Sequence, residues 1–143
     1  MASYLVLNGP NLNLLGTRQP DVYGSDTLAD IETLCLETAG SMEADVSFFQ
    51  SNHEGALVDA IHEARGRDDG IVLNAGAYSH TSIALHDAIL SSEVPTMEVH
   101  ISNIHARETF RHHSYITPAA VGMISGIGIL GYAFALQALH ARL

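Results

Sequence analysis

The chain has 143 residues, 47% of them hydrophobic, and carries 16 acidic against 6 basic side chains for a net charge of -10. That length suits one domain with a sizeable core, and the sign of the charge argues against a non-specific nucleic-acid binder or a partner of anionic membranes. Every basic side chain other than histidine is an arginine, at positions 18, 65, 67, 107, 111 and 142, so Schiff-base chemistry on lysine, PLP attachment and a P-loop lysine are all excluded.

Residues 4–7 form a short apolar run closed by Asn8-Gly9-Pro10, the pattern of a buried strand opening into a loop. Residues 11–26 lack periodicity and hold Gly16, Pro20 and Gly24 beside Asn11, Asn13, Arg18 and Tyr23, and an unstructured loop of that length in a compact domain is usually functional. Leu28, Ile31, Leu34 and Cys35 then keep a 3.6-residue period, predicting a first helix with Thr27 or Asp26 as its N-cap. Residues 44–50 alternate as a second strand, and Leu57, Ile61 and Ala64 space a second helix. The wholly apolar start of 71–74 suits a central parallel strand, followed by a third helix over 79–90 capped by Ser79 or Thr81.

A fourth strand begins after Pro95 and breaks at Ser102-Asn103, residue types that favour turns and caps. Residues 104–111 predict a short helix with Arg107 and Arg111 on one face. A fifth strand is expected within 121–127 and a last helix over 132–140. This alternation predicts an α/β fold, a flavodoxin-like doubly wound sheet of five parallel strands in the order 2-1-3-4-5 with helices on both faces, spanning 1–143 as one domain. In that order the loops after strands one, three and four share one crevice, which gathers Asn11, Arg18, Tyr23, Asn74, His80, His100, Ser102, Arg107 and Arg111.

Alternate positions of a strand face the same way, so Glu98 and His100 would point together at the carboxyl end of strand four. Taken alone, such a segment reads equally as a structural histidine beside a solvated arginine face. A phenol is a poor base at neutral pH because its reference pKa is about 10, but a neighbouring guanidinium stabilises the phenolate. Arg18 and Tyr23, five apart in a glycine-flanked loop, therefore make a chemically sensible base, although Tyr23 also fits an ordinary loop aromatic. His80 and Asp87, seven apart on the predicted third helix, would share a face with the small Ala84 between them, and the helix dipole would keep His80 neutral. Asn74 at a strand tip could contact a ligand or satisfy turn backbone.

Nine histidines raise a metal hypothesis, yet no H-E-x-x-H or cysteine pair supports it, and the one cysteine, Cys35, allows no internal disulfide. Nucleotide fingerprints are missing as well: Gly126 and Gly128 precede the last helix without the third glycine. No basic-then-apolar leader and no apolar run of about 18 residues is present, so a soluble, cytoplasmic protein is expected.

Five segments together resemble type II 3-dehydroquinate dehydratase, a shikimate-pathway enzyme: L-N-G-P-N-L-N-L-L-G-T-R at 7–18 with P-D-V-Y-G at 20–24, Q-S-N-H-E-G at 50–55, N-A-G-A-Y-S-H-T-S-I-A-L-H-D-A at 74–88, and E-V-H-I-S-N-I-H-A-R-E-T-F-R-H-H-S-Y at 98–115. Ala75 and His86 depart from the usual pattern, where proline and arginine are frequent. The resemblance implies a cofactor-free, metal-free lyase acting on 3-dehydroquinate through an enolate. It makes Tyr23 the base, Arg18 its activator and His100 the acid, with Asn11 holding a water at the enolate. It gives the substrate carboxylate to Asn74 and to the Ile101 and Ser102 backbone, and ring hydroxyls to His80, Asp87 and Arg111. A dodecamer built of trimers is implied too, with Asp87 reaching a neighbouring subunit's site. A flavin carrier, a receiver domain and a histidine-based metal hydrolase are the rival readings; a receiver would need acidic residues after strand one and a lysine near the last strand, whereas Asn8-Gly9-Pro10 stands there and lysine is missing.

Overall fold

Five parallel strands line up as β2-β1-β3-β4-β5 in a computed structural model that describes residues 1–17 and 19–143. They are β1 (Ser3–Asn8), β2 (Asp45–Gln50), β3 (Gly70–Asn74), β4 (Thr96–His100) and β5 (Gly122–Ser125). The helices are α1 (Pro20–Tyr23), α2 (Leu28–Ser41), α3 (Glu54–Ala64), α4 (Ile83–Ser92) and α5 (Leu130–His140). This is the expected doubly wound order.

The period of two along each strand divides the core into two layers. Tyr4 and Val6 of β1, Val72 of β3, and Met97 and Val99 of β4 pack with Ile31 and Cys35 of α2 and with Tyr132, Leu136 and Leu139 of α5. Leu5 and Leu7, with Ile71 and Leu73, face the opposite way and pack with Leu57 and Ile61 of α3 and Leu85 and Ile89 of α4. Each fully buried aliphatic side chain contributes about 1.5–3 kcal/mol of transfer free energy, so both layers hold the strand register firmly. The same parity decides the site. Asn8 and Asn74, register partners at the tips of β1 and β3, continue the α2/α5 side, whereas Glu98 and His100 fall on the α3/α4 side.

Local chemistry sets the helix ends. Thr27 accepts from the Asp30 backbone N–H while the Asp30 carboxylate accepts from that of Thr27, a capping box that makes Thr27 the N-cap of α2. The third predicted helix starts later than expected. Residues Gly76–His80 form a 3-10 turn, and α4 begins at Ile83 with Ser82, rather than Ser79 or Thr81, accepting from the Leu85 N–H. His80 therefore lies outside α4 and does not share a helical face with Asp87. Gly76 adopts φ +59, a left-handed backbone, and a Cβ there would come 3.1 Å from the Pro10 carbonyl oxygen, so the turn is pressed against the loop after β1.

The expected helix over 104–111 is instead two 3-10 turns, Ile104–Ala106 and Thr109–Arg111, separated by extended backbone at Arg107 and Glu108. Eight residues are too few to repay helix nucleation, and Asn103 caps the first turn through the His105 N–H. The loop 11–26 also contains structure, a 3-10 turn at Leu12–Leu14 and the short α1 begun by Pro20.

Candidate active site

The carboxyl ends of β1, β3 and β4 open into a cleft of about 530 Å³ lined by Asn11, Tyr23, Asn74, His80, His100, Ile101, Ser102, Arg107 and Arg111, among others. Open α/β sheets bind ligands at this switch point. Arg107 and Arg111 line a cleft in a chain of net charge -10, so positive charge is concentrated where a small anion would bind.

His100 and Glu98 are both buried, and His100 Nε2 lies 2.5 Å from Glu98 Oε2. Ser114 Oγ donates to the same oxygen at 2.7 Å and Thr117 Oγ1 donates to Oε1 at 2.5 Å. Burial by itself would raise the Glu98 pKa, but the three donors, His100 foremost, outweigh it and hold the carboxyl below its ordinary range. An ionised carboxylate can only accept, so His100 Nε2 carries the proton. Its Nδ1 makes no hydrogen bond among the described residues.

His80 stacks on His100, ring centroids 6.3 Å apart and 18° from parallel. Its Nδ1–H donates to the His113 carbonyl at 2.8 Å, and burial is the largest cause of a pKa below the usual histidine value. Desolvation, rather than the dipole of a helix to which it does not belong, keeps this ring neutral and leaves Nε2 as an acceptor.

Across the cleft, Arg107 Nη1 donates to Tyr23 Oη at 3.1 Å and to Ser102 Oγ at 3.2 Å, and its Cζ sits 5.3 Å from the Tyr23 ring centroid. The sequence paired Tyr23 with Arg18, which lies outside the described residues; among the described residues Arg107, delivered from the loop after β4, also places a guanidinium on the phenol. Arg111 donates through Nε to Glu108 at 2.8 Å and lies over Phe110 at 5.0 Å, which fixes the plane of its guanidinium. Asn11 holds a left-handed backbone at φ 68, a conformation asparagine tolerates well, and its N–H donates to Asn52 Oδ1. Asn74, nearly buried, accepts from the Gly76 N–H at 3.1 Å and donates through Nδ2 to Tyr132 Oη at 2.9 Å.

Asp87 is the one described candidate that the fold keeps apart from the rest: it lies exposed on α4 and does not line the cleft. Sequence reasoning missed Arg107 as the partner of Tyr23, the Ser114 and Thr117 hydroxyls on Glu98, and Tyr132 behind Asn74. Ala75 is fully buried against the loop after β1, and His86 donates through Nδ1–H to the Tyr115 carbonyl, 2.8 Å away, so both departures sit beside the cleft without lining it. Among the described residues no three His, Cys, Asp or Glu side chains come together as a metal site, and no helix is long and apolar enough to cross a membrane.

Residues 2–140 match the family model described as dehydroquinase class II. A protein of Ruegeria pomeroyi named 3-dehydroquinate dehydratase is 63% identical over 143 residues, covering 100% of this chain and 96% of the relative. One of a Marinomonas strain, with the same name, is 58% identical over 148 residues, covering 100% and 99% respectively. Among solved structures, a type II dehydroquinase from Butyrivibrio crossotus superposes with a TM-score of 0.94 at 44% identity, covering 96% of this chain and 97% of that one.

Proposed function

The chain belongs to the class II dehydroquinase family, and from that premise we propose that it removes water from 3-dehydroquinate to give 3-dehydroshikimate, a cytoplasmic step of the shikimate pathway, with residues 1–143 acting as one catalytic unit and no cofactor or metal. The observation that carries this reading is one cleft holding an arginine-contacted phenol, Tyr23 with Arg107 at 3.1 Å, and a carboxylate-backed imidazole, His100 with Glu98 at 2.5 Å. A β-hydroxy ketone loses water when a base takes the proton beside the carbonyl and an acid protonates the departing hydroxyl. Tyr23 is the base, contacted through its hydroxyl by Arg107 and, as the family resemblance implies, activated by Arg18. His100 is the acid, and the Glu98 carboxylate orients its ring through Nε2. Charge developing on the ketone oxygen is carried as an enolate, stabilised by a water that Asn11 holds.

The substrate carboxylate is bound by the Asn74 amide and the Ile101 and Ser102 backbone, all of which line the cleft. His80, with its accepting Nε2, and Arg111 take ring hydroxyls. Asp87 serves a neighbouring subunit's cleft within a dodecamer of trimers. In support of this, Asp87 is exposed on α4 between Ile83 and Leu90, which are 57% and 56% exposed and share its face at i−4 and i+3, an apolar stripe suited to a neighbouring copy.

Mixing the purified protein with 3-dehydroquinate is expected to generate the absorbance of a conjugated enone, and a protein that produces none overturns the function. Because the chain has no lysine, the iminium route is closed to it. Borohydride added with substrate is therefore expected to leave the activity and the protein mass unchanged, and an adduct of substrate mass would refute the enolate route.

Arg111→Ala is expected to raise KM about tenfold or more, the loss of a hydrogen bond from a charged donor, with kcat changed by less than about threefold. Arg111→Lys should recover little, because the fork that Glu108 and Phe110 orient is lost. Steady-state kinetics decide it: an unaltered KM in the alanine variant removes Arg111 from binding.

A further inference from the structure

Where the tips of β1 and β3 meet the first turn of α5, three polar side chains are buried together. Asn8 and Asn74 are register partners, 2% and 4% exposed, and Tyr132 is wholly buried between them and α5. The Tyr132 O–H donates to Asn8 Oδ1 at 2.5 Å, and Asn74 Nδ2 donates to Tyr132 Oη at 2.9 Å. Burying three polar groups where two central strands and a helix meet is costly unless each is satisfied, and an apolar filling would serve packing as well. Burial also drives the Tyr132 phenol well above its ordinary pKa, against the opposing effect of the Asn74 bond, so the hydroxyl keeps its proton.

That proton fixes the direction of the whole chain of bonds. Since the O–H is spent on Asn8, the Tyr132 oxygen can only accept from Asn74, which turns the Nδ2 end of the amide toward it. The Gly76 N–H independently requires the Oδ1 end at the opposite side. Both ends of the Asn74 amide are thereby dictated, and its second N–H, which has no partner among the described residues, is kept on a residue that lines the cleft. An N–H presented there recognises an anion, whereas an amide turned over would present a lone pair and repel it.

We propose that Tyr132 is a positioning residue for substrate recognition, acting through Asn74 to hold its amide with a donor toward the substrate carboxylate. This rests on the carboxylate-binding role given to Asn74 above. Tyr132→Phe retains the ring and removes only the hydroxyl. It is expected to raise KM for 3-dehydroquinate about tenfold while kcat moves less than about threefold, because the group lost acts on binding and not on proton transfer.

A double-mutant cycle with Asn74→Ala separates positioning from plain structural support. If Tyr132 acts through Asn74, the double variant has the KM of Asn74→Ala alone; effects that multiply overturn the proposal. An unchanged KM in folded Tyr132→Phe overturns it too. Should Tyr132→Phe fail to fold, Asn8→Ala takes its place in the cycle: it releases the Tyr132 O–H to turn on Asn74, so the same rise in KM and the same lack of additivity are required. An unchanged KM for Asn74→Ala defeats the carboxylate reading, and Tyr132 with it. A raised KM there beside an inert or additive Tyr132 variant defeats the positioning inference alone.

Discussion

Tyr23→Phe is expected to lower kcat about 10²- to 10⁴-fold, the usual contribution of a positioned acid or base, while the fold remains intact. The ring of Tyr23 packs against the core layer on the α2/α5 side, and phenylalanine keeps that contact. What it loses is the oxygen that Arg107 contacts at 3.1 Å. Removing the oxygen removes the proposed base and its contact with the guanidinium together. KM should move little, because the substrate contacts proposed above are made by Asn74, His80 and Arg111. Single-turnover rates with matched melting temperatures test this directly, and a variant with near wild-type kcat excludes Tyr23 as the base.

The sequence made some parts of this arrangement legible and concealed others, for physical reasons. Alternating strand and helix patterns with right-handed crossovers leave few sheet orders, so the crevice after β1, β3 and β4 could be inferred before any coordinates. The period of two put Glu98 beside His100 for the same reason, and the observed 2.5 Å contact follows from it. The 3-10 turns at Gly76–His80, Ile104–Ala106 and Thr109–Arg111 were hidden because one-turn segments carry no periodicity to read. Tyr132 stands 124 positions from Asn8 and 58 from Asn74, and only the packing of α5 on the sheet brings its hydroxyl to both. Arg107 illustrates the third case: its spacing from Arg111 suggested a shared helix face, yet the extended backbone between the two turns sends its guanidinium to the Tyr23 phenol instead.

The second large effect is expected at His100. His100→Ala should lower kcat by about 10²- to 10⁴-fold, since the departing hydroxyl loses its proton donor, and Glu98→Gln should show how far the carboxylate supports that donor. Glu98 accepts from three groups, His100 and Ser114 on one oxygen and Thr117 on the other. An amide offers a single accepting oxygen: turned toward His100 and Ser114 it makes the Thr117 hydroxyl reverse from donor to acceptor, and turned over it sets an NH₂ against the His100 N–H, which cannot accept. Either way the imidazole loses the neighbouring negative charge and part of the hydrogen bonding that orients it, and kcat is expected to fall at least about tenfold with a smaller rise in KM. Stability supplies an independent reading. The native Glu98 carboxyl titrates below its ordinary value of 4.5, so the ionised group stabilises the fold fully above that value, and the contribution is lost as pH falls through the lower native pKa. In Glu98→Gln that loss cannot occur, and the decline of melting temperature below about pH 4.5 should be shallower than in the wild type. Wild-type kcat together with an unchanged acid limb would show that Glu98 neither supports His100 nor is held ionised by its three donors.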